Sequence, residues 1–231
     1  MIIAYDIIPL SIAPLSIIAL LVRKEEHIVA NKDLTLNPKI EKAAFDVFME
    51  CGFEKASMNK IAQRAGVTTG AIYTRYKSKD DLFESLVSPL FKVVADKASF
   101  VEKSYLYAQE EKSIDKFMNA IKEEQAIYDD LICNFYEECI LLFDKGIGSE
   151  TYKHMYSSIN SKAEKTILFF KNITQNDVDL SGLEIIITSS LYFYHQILMK
   201  NLGKEKTIVE LTNINTFIEN GWINLFETIL K

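Results

Sequence analysis

The chain has 231 residues and a formal net charge of −6, with 48% hydrophobic and 25% charged residues. That is the balance of an ordinary globular protein, long enough for one or two domains around a buried core. Three cysteines (Cys51, Cys133 and Cys139) lack CxxC spacing; they argue against a disulfide framework or zinc site and for a reducing, cytoplasmic setting.

Only eight Gly and four Pro interrupt long periodic segments, which favours an all-α fold. There is no internal repeat and no low-complexity tract.

Residues 1–36 read as an apolar extension and linker. From Met1 to Val22 the one charge is Asp6, and Pro9 and Pro14 lie inside the run. The prolines weaken a spanning helix, and no basic residue precedes the apolar core as a signal peptide requires. Three readings stand: a disordered extension or an unused upstream start, an extra amphipathic helix, or a membrane anchor.

Residues 37–83 read as three short helices. Asn37-Pro38 opens the first, and Ile40, Ala44, Val47, Phe48 and Cys51 form its inner stripe up to Gly52. Ser57 caps the second, in which Met58, Ile61, Ala62 and Ala65 share one face before Gly66. Thr68 caps the third, followed by Thr69, Ile72, Tyr73, Thr74, Arg75 and Tyr76. Ser78 and Asp81 make a capping box ahead of Leu82 and Phe83. From Lys55 to Lys79 there are six basic residues and no acidic one. A local cationic stretch on an acidic chain points to one polyanion-facing end, and a helix-turn-helix places its second helix in the DNA major groove.

This segment resembles the DNA-binding domain of the TetR/AcrR family of bacterial transcriptional regulators. The resemblance rests on Ala44, Phe48, Gly52-Phe53, Ser57, Ile61-Ala62, Ala65-Gly66-Val67, Ile72-Tyr73, Tyr76, Lys79 and Leu82. Ser57 and Tyr76 stand where Thr and Phe are common in the family. The resemblance implies base contacts from Thr68, Thr69, Thr74 and Arg75, with phosphate contacts from Ser57, Tyr73, Tyr76 and Lys79, and Lys60 as nearby charge. Arg75 is the side chain able to read a guanine through two hydrogen bonds.

Residues 84–231 read as a helical bundle for ligand binding and dimerisation. One helix runs from Lys79 to about Phe100, with Pro89 bending it near the domain junction or ending it at Ser88. Others follow Ser113, span Leu131 to Phe143, and follow Ser149. Tyr128, Phe135, Tyr136, Phe143, Tyr156, Phe169, Tyr192, His195 and Met199 are candidates to line a pocket. The acidic pairs Glu123-Glu124 and Glu137-Glu138 read as solvated faces.

The last two helices are the most apolar. Leu183, Ile187, Leu191, Tyr194 and Leu198 lie on one, and Leu211, Ile214, Ile218, Trp222 and Leu225 on the other, with Thr207 and Glu210 as its capping box and Gly221 allowing close approach. The resemblance implies that these helices pair with their copies, so that a homodimer presents two reading helices to a pseudo-palindromic operator and a small-molecule effector shifts the dimer between two states. No phosphate loop, HExxH, nucleophile elbow or Glu-x-x-His is present in the sequence, so an enzyme finds no support, and no cofactor or metal is implied. An activator, a non-transcriptional DNA-binding factor and a membrane-tethered regulator remain as rival readings.

Overall fold

The computed structural model describes residues 36–173 and 182–229, so all but the last residue of the extension expected over residues 1–36, and with it the choice among its readings, lies outside the described residues. The side chains of Tyr156 and Leu191 lie outside them too. Among the described residues the structure is all-helical. No described helix is long and apolar enough to cross a membrane.

Three helices make the N-terminal unit: α1 (Leu36–Lys55), α2 (Met58–Ala65) and α3 (Thr69–Tyr73). Gly52 bends α1 at φ 74°, a conformation costly for any residue with a Cβ, and so turns Phe53 into the core. The Ser57 side chain accepts from the Lys60 amide at 3.2 Å. At the other end of α2, Gly66 sits at φ 62°; its N–H donates to Gln63, and Val67 donates to Ala62. This pair of bonds is a Schellman closure, which satisfies carbonyls that the helix end would otherwise leave orphaned. Thr68 accepts from the Ala71 amide at 3.1 Å and starts α3. Four local signals, the capping hydroxyls of Ser57, Thr68 and Ser78 and the left-handed backbone of Gly66, thus set the geometry of the helix-turn-helix. The core beneath them is Ile40, Ala44, Val47, Phe48, Ile61, Ile72 and Leu82, all fully buried.

Helix α4 (Lys79–Glu110) continues unbroken through Pro89 for 32 residues, so it neither ends at Ser88 nor stops near Phe100. Proline has no N–H for the carbonyl of Ser85, four residues back. The Ser88 hydroxyl donates to that carbonyl at 2.9 Å instead. The lost bond is replaced locally, which lets the helix run on.

Helix α5 (Ile114–Asn134) packs along α4. A break at Phe135 leads to α6 (Tyr136–Ile140) and a π-helical turn over Leu141–Lys145. The expected helix over Leu131 to Phe143 is therefore divided between the end of α5, α6 and this turn. Ser149 caps α7 (Glu150–Ile173), accepting from the Tyr152 amide at 3.1 Å. Helices α8 (Leu183–Met199) and α9 (Lys204–Ile229) follow. Helix α9 starts one turn before the expected cap: Gly203, at φ 82°, makes the corner, and Thr207 is buried inside the first turn. The Thr207 hydroxyl lies 3.4 Å from that of Tyr136.

Aromatic rings hold the bundle. Phe117 stacks on Phe169 at 4.5 Å, and Trp222 of α9 stacks on Phe170 at 5.9 Å. A second aromatic group, Phe48, Phe53 and Phe83, fills the base of the N-terminal unit with centroids 5.3–5.8 Å apart. Gly146 lies against Phe83 so closely that an added Cβ would come within 2.8 Å of the ring. Asp80 of α4 accepts from the Glu150 amide at 2.8 Å, at the start of α7. The turn after α6 is thereby locked between α1, α4 and α7.

Candidate nucleic-acid interface

Helix α3 is five residues long and presents its hydrophilic side outward. Ile72 anchors it in the core; Thr68, Tyr73 and Thr74 are exposed and Thr69 is half-buried. Tyr73 is 53% exposed. The Thr69 hydroxyl donates to Asn59 Oδ1 at 3.1 Å, tying α3 to α2. Asn59 is an exposed polar residue that the family pattern did not single out. The Thr74 hydroxyl donates to the Ala71 carbonyl at 2.9 Å. Exposed hydroxyls around a helix N-terminus are the donors that phosphate oxygens and base edges take.

The long basic and aromatic residues are more constrained than their spacing suggested. Tyr76 is only 7% exposed, and its hydroxyl donates to Glu41 at 2.6 Å. Burial, reinforced by the Glu41 carboxylate, pushes its phenol well above the ordinary range. The Lys79 ammonium donates to the carbonyls of Phe53 (2.7 Å) and Ala56 (3.1 Å), and sits 4.2 Å from the centre of the Phe53 ring. It closes the C-terminal end of α1, where cations are favoured. Tyr76 and Lys79, assigned to phosphates by resemblance, thus have their polar ends turned onto α1.

Acidic residues of α1 also border the stretch that looked free of acid. Arg64 forms a two-bonded pair with Glu50, and the Lys60 ammonium is 3.6 Å from the same carboxylate. Arg64 beside Glu50 holds that carboxyl below its usual range. Both pairs are exposed, so their net contribution to stability is small. Their effect is on the surface field, which is less positive than the local sequence implied. Arg75 is half-buried: its Nε–H donates to Asn37 Oδ1 at 2.9 Å, and Nη1 donates to the Ala71 carbonyl at 2.9 Å.

The pocket candidates separate into groups. Around His195 lie Phe143, Tyr192 and also Tyr152, with ring centres 6.1–6.5 Å away. His195 Nε2 donates to the Phe143 carbonyl at 2.7 Å. Tyr128 belongs to a different, polar cluster. Its ring is 5.3 Å from Tyr194, and its hydroxyl and that of Tyr105 both donate to Glu124, at 3.4 and 2.8 Å. Glu124 is 3% exposed, so this member of the acidic pairs does not lie on a solvated face. The Tyr194 hydroxyl donates to Asn215, whose amide reaches Asp129 at 3.4 Å. Burial raises the Asp129 carboxyl and the phenols of Tyr105, Tyr128 and Tyr194 above their ordinary values. Phe169 is wholly within the core, while Phe135 and Tyr136 are half-buried at the α5–α6 break. Tyr192 and Met199 are 51% and 42% exposed and so face away from the bundle interior. Among the described residues, no group of three His, Cys, Asp or Glu is placed to hold a metal ion.

The stripe expected at the dimer interface faces inward as well. Leu183, Ile187, Tyr194, Leu198, Leu211, Ile218 and Trp222 are each under 9% exposed within one subunit, and Ile214 and Leu225 are half-buried. Among the described residues, the large apolar side chains left open are Ile185, Ile186, Tyr192 and Met199 on α8, and Val209, Phe217 and Ile223 on α9. Both helices are apolar on two sides; the stripe chosen from periodicity is the one their own bundle covers.

Residues 40–86 match the family model described as bacterial regulatory proteins, tetR family. The chain is 29% identical over 111 residues to the HTH-type transcriptional repressor BepR of Brucella suis biovar 1 (strain 1330), covering 45% of this chain and 53% of that protein. It is 36% identical over 59 residues to the uncharacterized HTH-type transcriptional regulator YhgD of Bacillus subtilis (strain 168), covering 26% and 31%. It is 42% identical over 48 residues to the fatty acid metabolism regulator protein of the same organism, covering 21% and 25%. The chain thus spans about half, or less, of the length of these relatives. Among solved structures, NalD, the secondary repressor of the MexAB-OprM multidrug efflux pump in Pseudomonas aeruginosa, aligns with a TM-score of 0.48 at 14% identity, over 81% of this chain and 95% of that one. A putative TetR-family regulator from Mesorhizobium loti aligns with a TM-score of 0.45 at 16% identity, over 85% and 98%. Four observed helix caps, an outward-facing third helix and the match over residues 40–86 converge on the same segment. Residues 40–86 are thus a helix-turn-helix segment of the kind found in bacterial regulatory proteins of the tetR family.

Proposed function

We propose that this chain is a ligand-responsive repressor that binds a pseudo-palindromic operator as a homodimer and is released when a small apolar or aromatic molecule occupies its C-terminal bundle. The observation that carries the DNA-binding half is the short helix α3, capped by Thr68 and with Tyr73 and Thr74 exposed beside it. Thr68, Thr69, Thr74 and Arg75 face base edges, with Ser57, Lys60 and Tyr73 beside them for phosphates. Tyr76 and Lys79 support the reading surface from beneath. Such contacts would be steeply salt-dependent, since the chain as a whole is acidic and the attraction must come from this one surface.

The homodimer is supported by the open row on α8, where Ile185, Tyr192 and Met199 recur seven residues apart, and by Val209, Phe217 and Ile223 on the adjacent α9. Single exposed apolar residues are ordinary, but several on each of two helices in contact are what a second copy would cover. The aromatic groups at His195 and Tyr128 support an effector site. An effector would act by preferring one arrangement of the subunits over another. A protein acting on chromosomal DNA in this way belongs in the cytoplasm.

The test is an anisotropy titration of the purified protein against its own upstream DNA and an unrelated duplex, at two salt concentrations, with Arg75→Ala alongside. The reading expects tight, salt-sensitive binding to the specific site that Arg75→Ala weakens mostly there. Equal, weak binding to both duplexes would sink self-regulation.

A further inference from the structure

We propose that Asn37 is a specificity-determining positioning residue, which sets the orientation in which Arg75 meets DNA. This rests on the reading above that α3 and its flanking residues contact the duplex.

Arg75 lies two residues beyond α3, in the turn before α4. Its Nε–H donates to Asn37 Oδ1 at 2.9 Å, across 38 positions of sequence. Its Nη1 donates to the Ala71 carbonyl at 2.9 Å and to the Thr74 hydroxyl at 3.2 Å. Acceptors on two separate elements therefore fix the guanidinium plane, the first turn of α1 on one edge and the backbone of α3 on the other. An arginine recognises a guanine or a phosphate as a planar fork, so the direction of that plane decides which acceptors it can meet. A flexible side chain ordered before binding loses less freedom when the duplex arrives.

The chemical type of the partner matters. Arg64, on the preceding helix, is paired with the carboxylate of Glu50. Arg75 receives a neutral amide oxygen from Asn37. The carboxylate offsets the charge of its arginine, whereas the amide directs its arginine and leaves the charge uncancelled by that contact. Helix α1 thus gives its two arginine partners different acceptors, a carboxylate to Arg64 and a neutral amide oxygen to Arg75.

The test uses the full chain and a duplex selected by the wild-type protein from a randomised pool, together with every single-base variant of that duplex. Affinities are measured by anisotropy for wild type, Asn37→Ala, Asn37→Asp, Arg75→Ala and the Asn37→Ala/Arg75→Ala double variant. Circular dichroism confirms the fold of each. Asn37→Ala is expected to relax discrimination about 3- to 10-fold at the base positions that Arg75→Ala also relaxes. Asn37→Asp keeps an acceptor for Arg75 and adds a negative charge near phosphates. Because the new carboxylate also offsets the charge of Arg75, as Glu50 does that of Arg64, it is expected to weaken all duplexes and to relax the Arg75-dependent base preferences less than Asn37→Ala does. The double variant is expected to be no less discriminating than Arg75→Ala alone, because both changes act through one group. Should Asn37→Ala fail to fold, Asn37→Ser, whose hydroxyl is too short to reach Arg75, makes the same comparison.

If Asn37→Ala leaves binding unchanged, or weakens every duplex alike, Asn37 is structural and the proposal is overturned. If Arg75→Ala itself leaves every base preference intact, the base-reading role of Arg75 fails first and the positioning role falls with it. The Arg75→Ala arm separates these two failures.

Discussion

The hydroxyl of Tyr76, at the end of the reading element, donates to the carboxylate of Glu41 on α1 at 2.6 Å. With Lys79 bound to the carbonyls of Phe53 and Ala56, and Arg75 to Asn37, this makes α1 the brace on which the helix-turn-helix is set. The residues that follow α3 serve the inside of the domain as much as its surface. Tyr76→Phe removes one hydrogen bond to a charged group and keeps the ring. It is expected to cost about 1–2 kcal/mol of stability while changing DNA affinity less than two-fold. Chemical denaturation and anisotropy, run on the same preparation, check both numbers.

Four tyrosines (Tyr76, Tyr105, Tyr128 and Tyr194) have phenols raised by burial, helped by Glu41, Glu124 or Asp129. A group whose folded value lies above its unfolded one contributes stability that is complete below the unfolded value. That contribution is lost as pH rises toward the folded value. The denaturation midpoint should therefore be insensitive to these phenols up to about pH 10 and fall steeply above it. Beyond the ionisation of exposed tyrosines such as Tyr73 and Tyr192, a further rise in tyrosinate absorbance from the buried phenols should coincide with loss of helical signal. Early, non-cooperative ionisation of all eleven tyrosines would contradict the buried network.

Phe217 is 69% exposed on α9, whereas Leu211 on the same helix is 1% exposed. Phe217→Glu and Ile185→Glu are expected to leave each subunit folded, within about 0.5 kcal/mol, and to shift the sedimentation profile from dimer to monomer. Leu211→Ala should instead destabilise the subunit by about 2–5 kcal/mol. Dimerisation that persists in the Phe217→Glu/Ile185→Glu double variant would remove this face from the account.

The glycines around the C-terminal unit make an independent check on packing. An added Cβ at Gly146 would come within 2.5 Å of the Leu142 carbonyl oxygen, and one at Gly148 (φ 92°) within 2.6 Å of Glu54 Cγ. Either alanine substitution should destabilise by about 1–3 kcal/mol. A Cβ added at Gly221, inside α9, would meet nothing outside its own helical backbone within 4 Å. Gly221→Ala should stabilise a monomeric variant by about 0.5–1 kcal/mol through helix propensity. A weaker dimer in that variant would place Gly221 at the subunit contact.

The helix-turn-helix was legible in the sequence because its signals are local. Ser57, Gly66, Thr68 and Ser78 each act within three or four residues, and each caps the helix end its position implied. What was not legible depends on distant partners. Nothing near Arg75, Tyr76 or Lys79 in sequence announces Asn37, Glu41 or Phe53 as their acceptors, and Glu124 is drawn inward by Tyr105, 19 residues away. In α8 and α9 the pattern is apolar on two sides, so periodicity alone cannot say which side meets the bundle and which is left open. At Pro89 the sequence offered a bend or a stop; the neighbouring Ser88 hydroxyl supplies the missing donor.

The most direct test of the central claim is a hydroxyl-radical footprint of the full chain on a duplex it selects from a randomised pool. A homodimer presenting two α3 helices predicts two protected half-sites related by a twofold axis, their centres about 10 base pairs or a multiple of that apart. Protection should shift toward non-specific coverage in Phe217→Glu/Ile185→Glu. A single asymmetric protected stretch, unchanged in that variant, would contradict a dimeric reading of DNA by these helices.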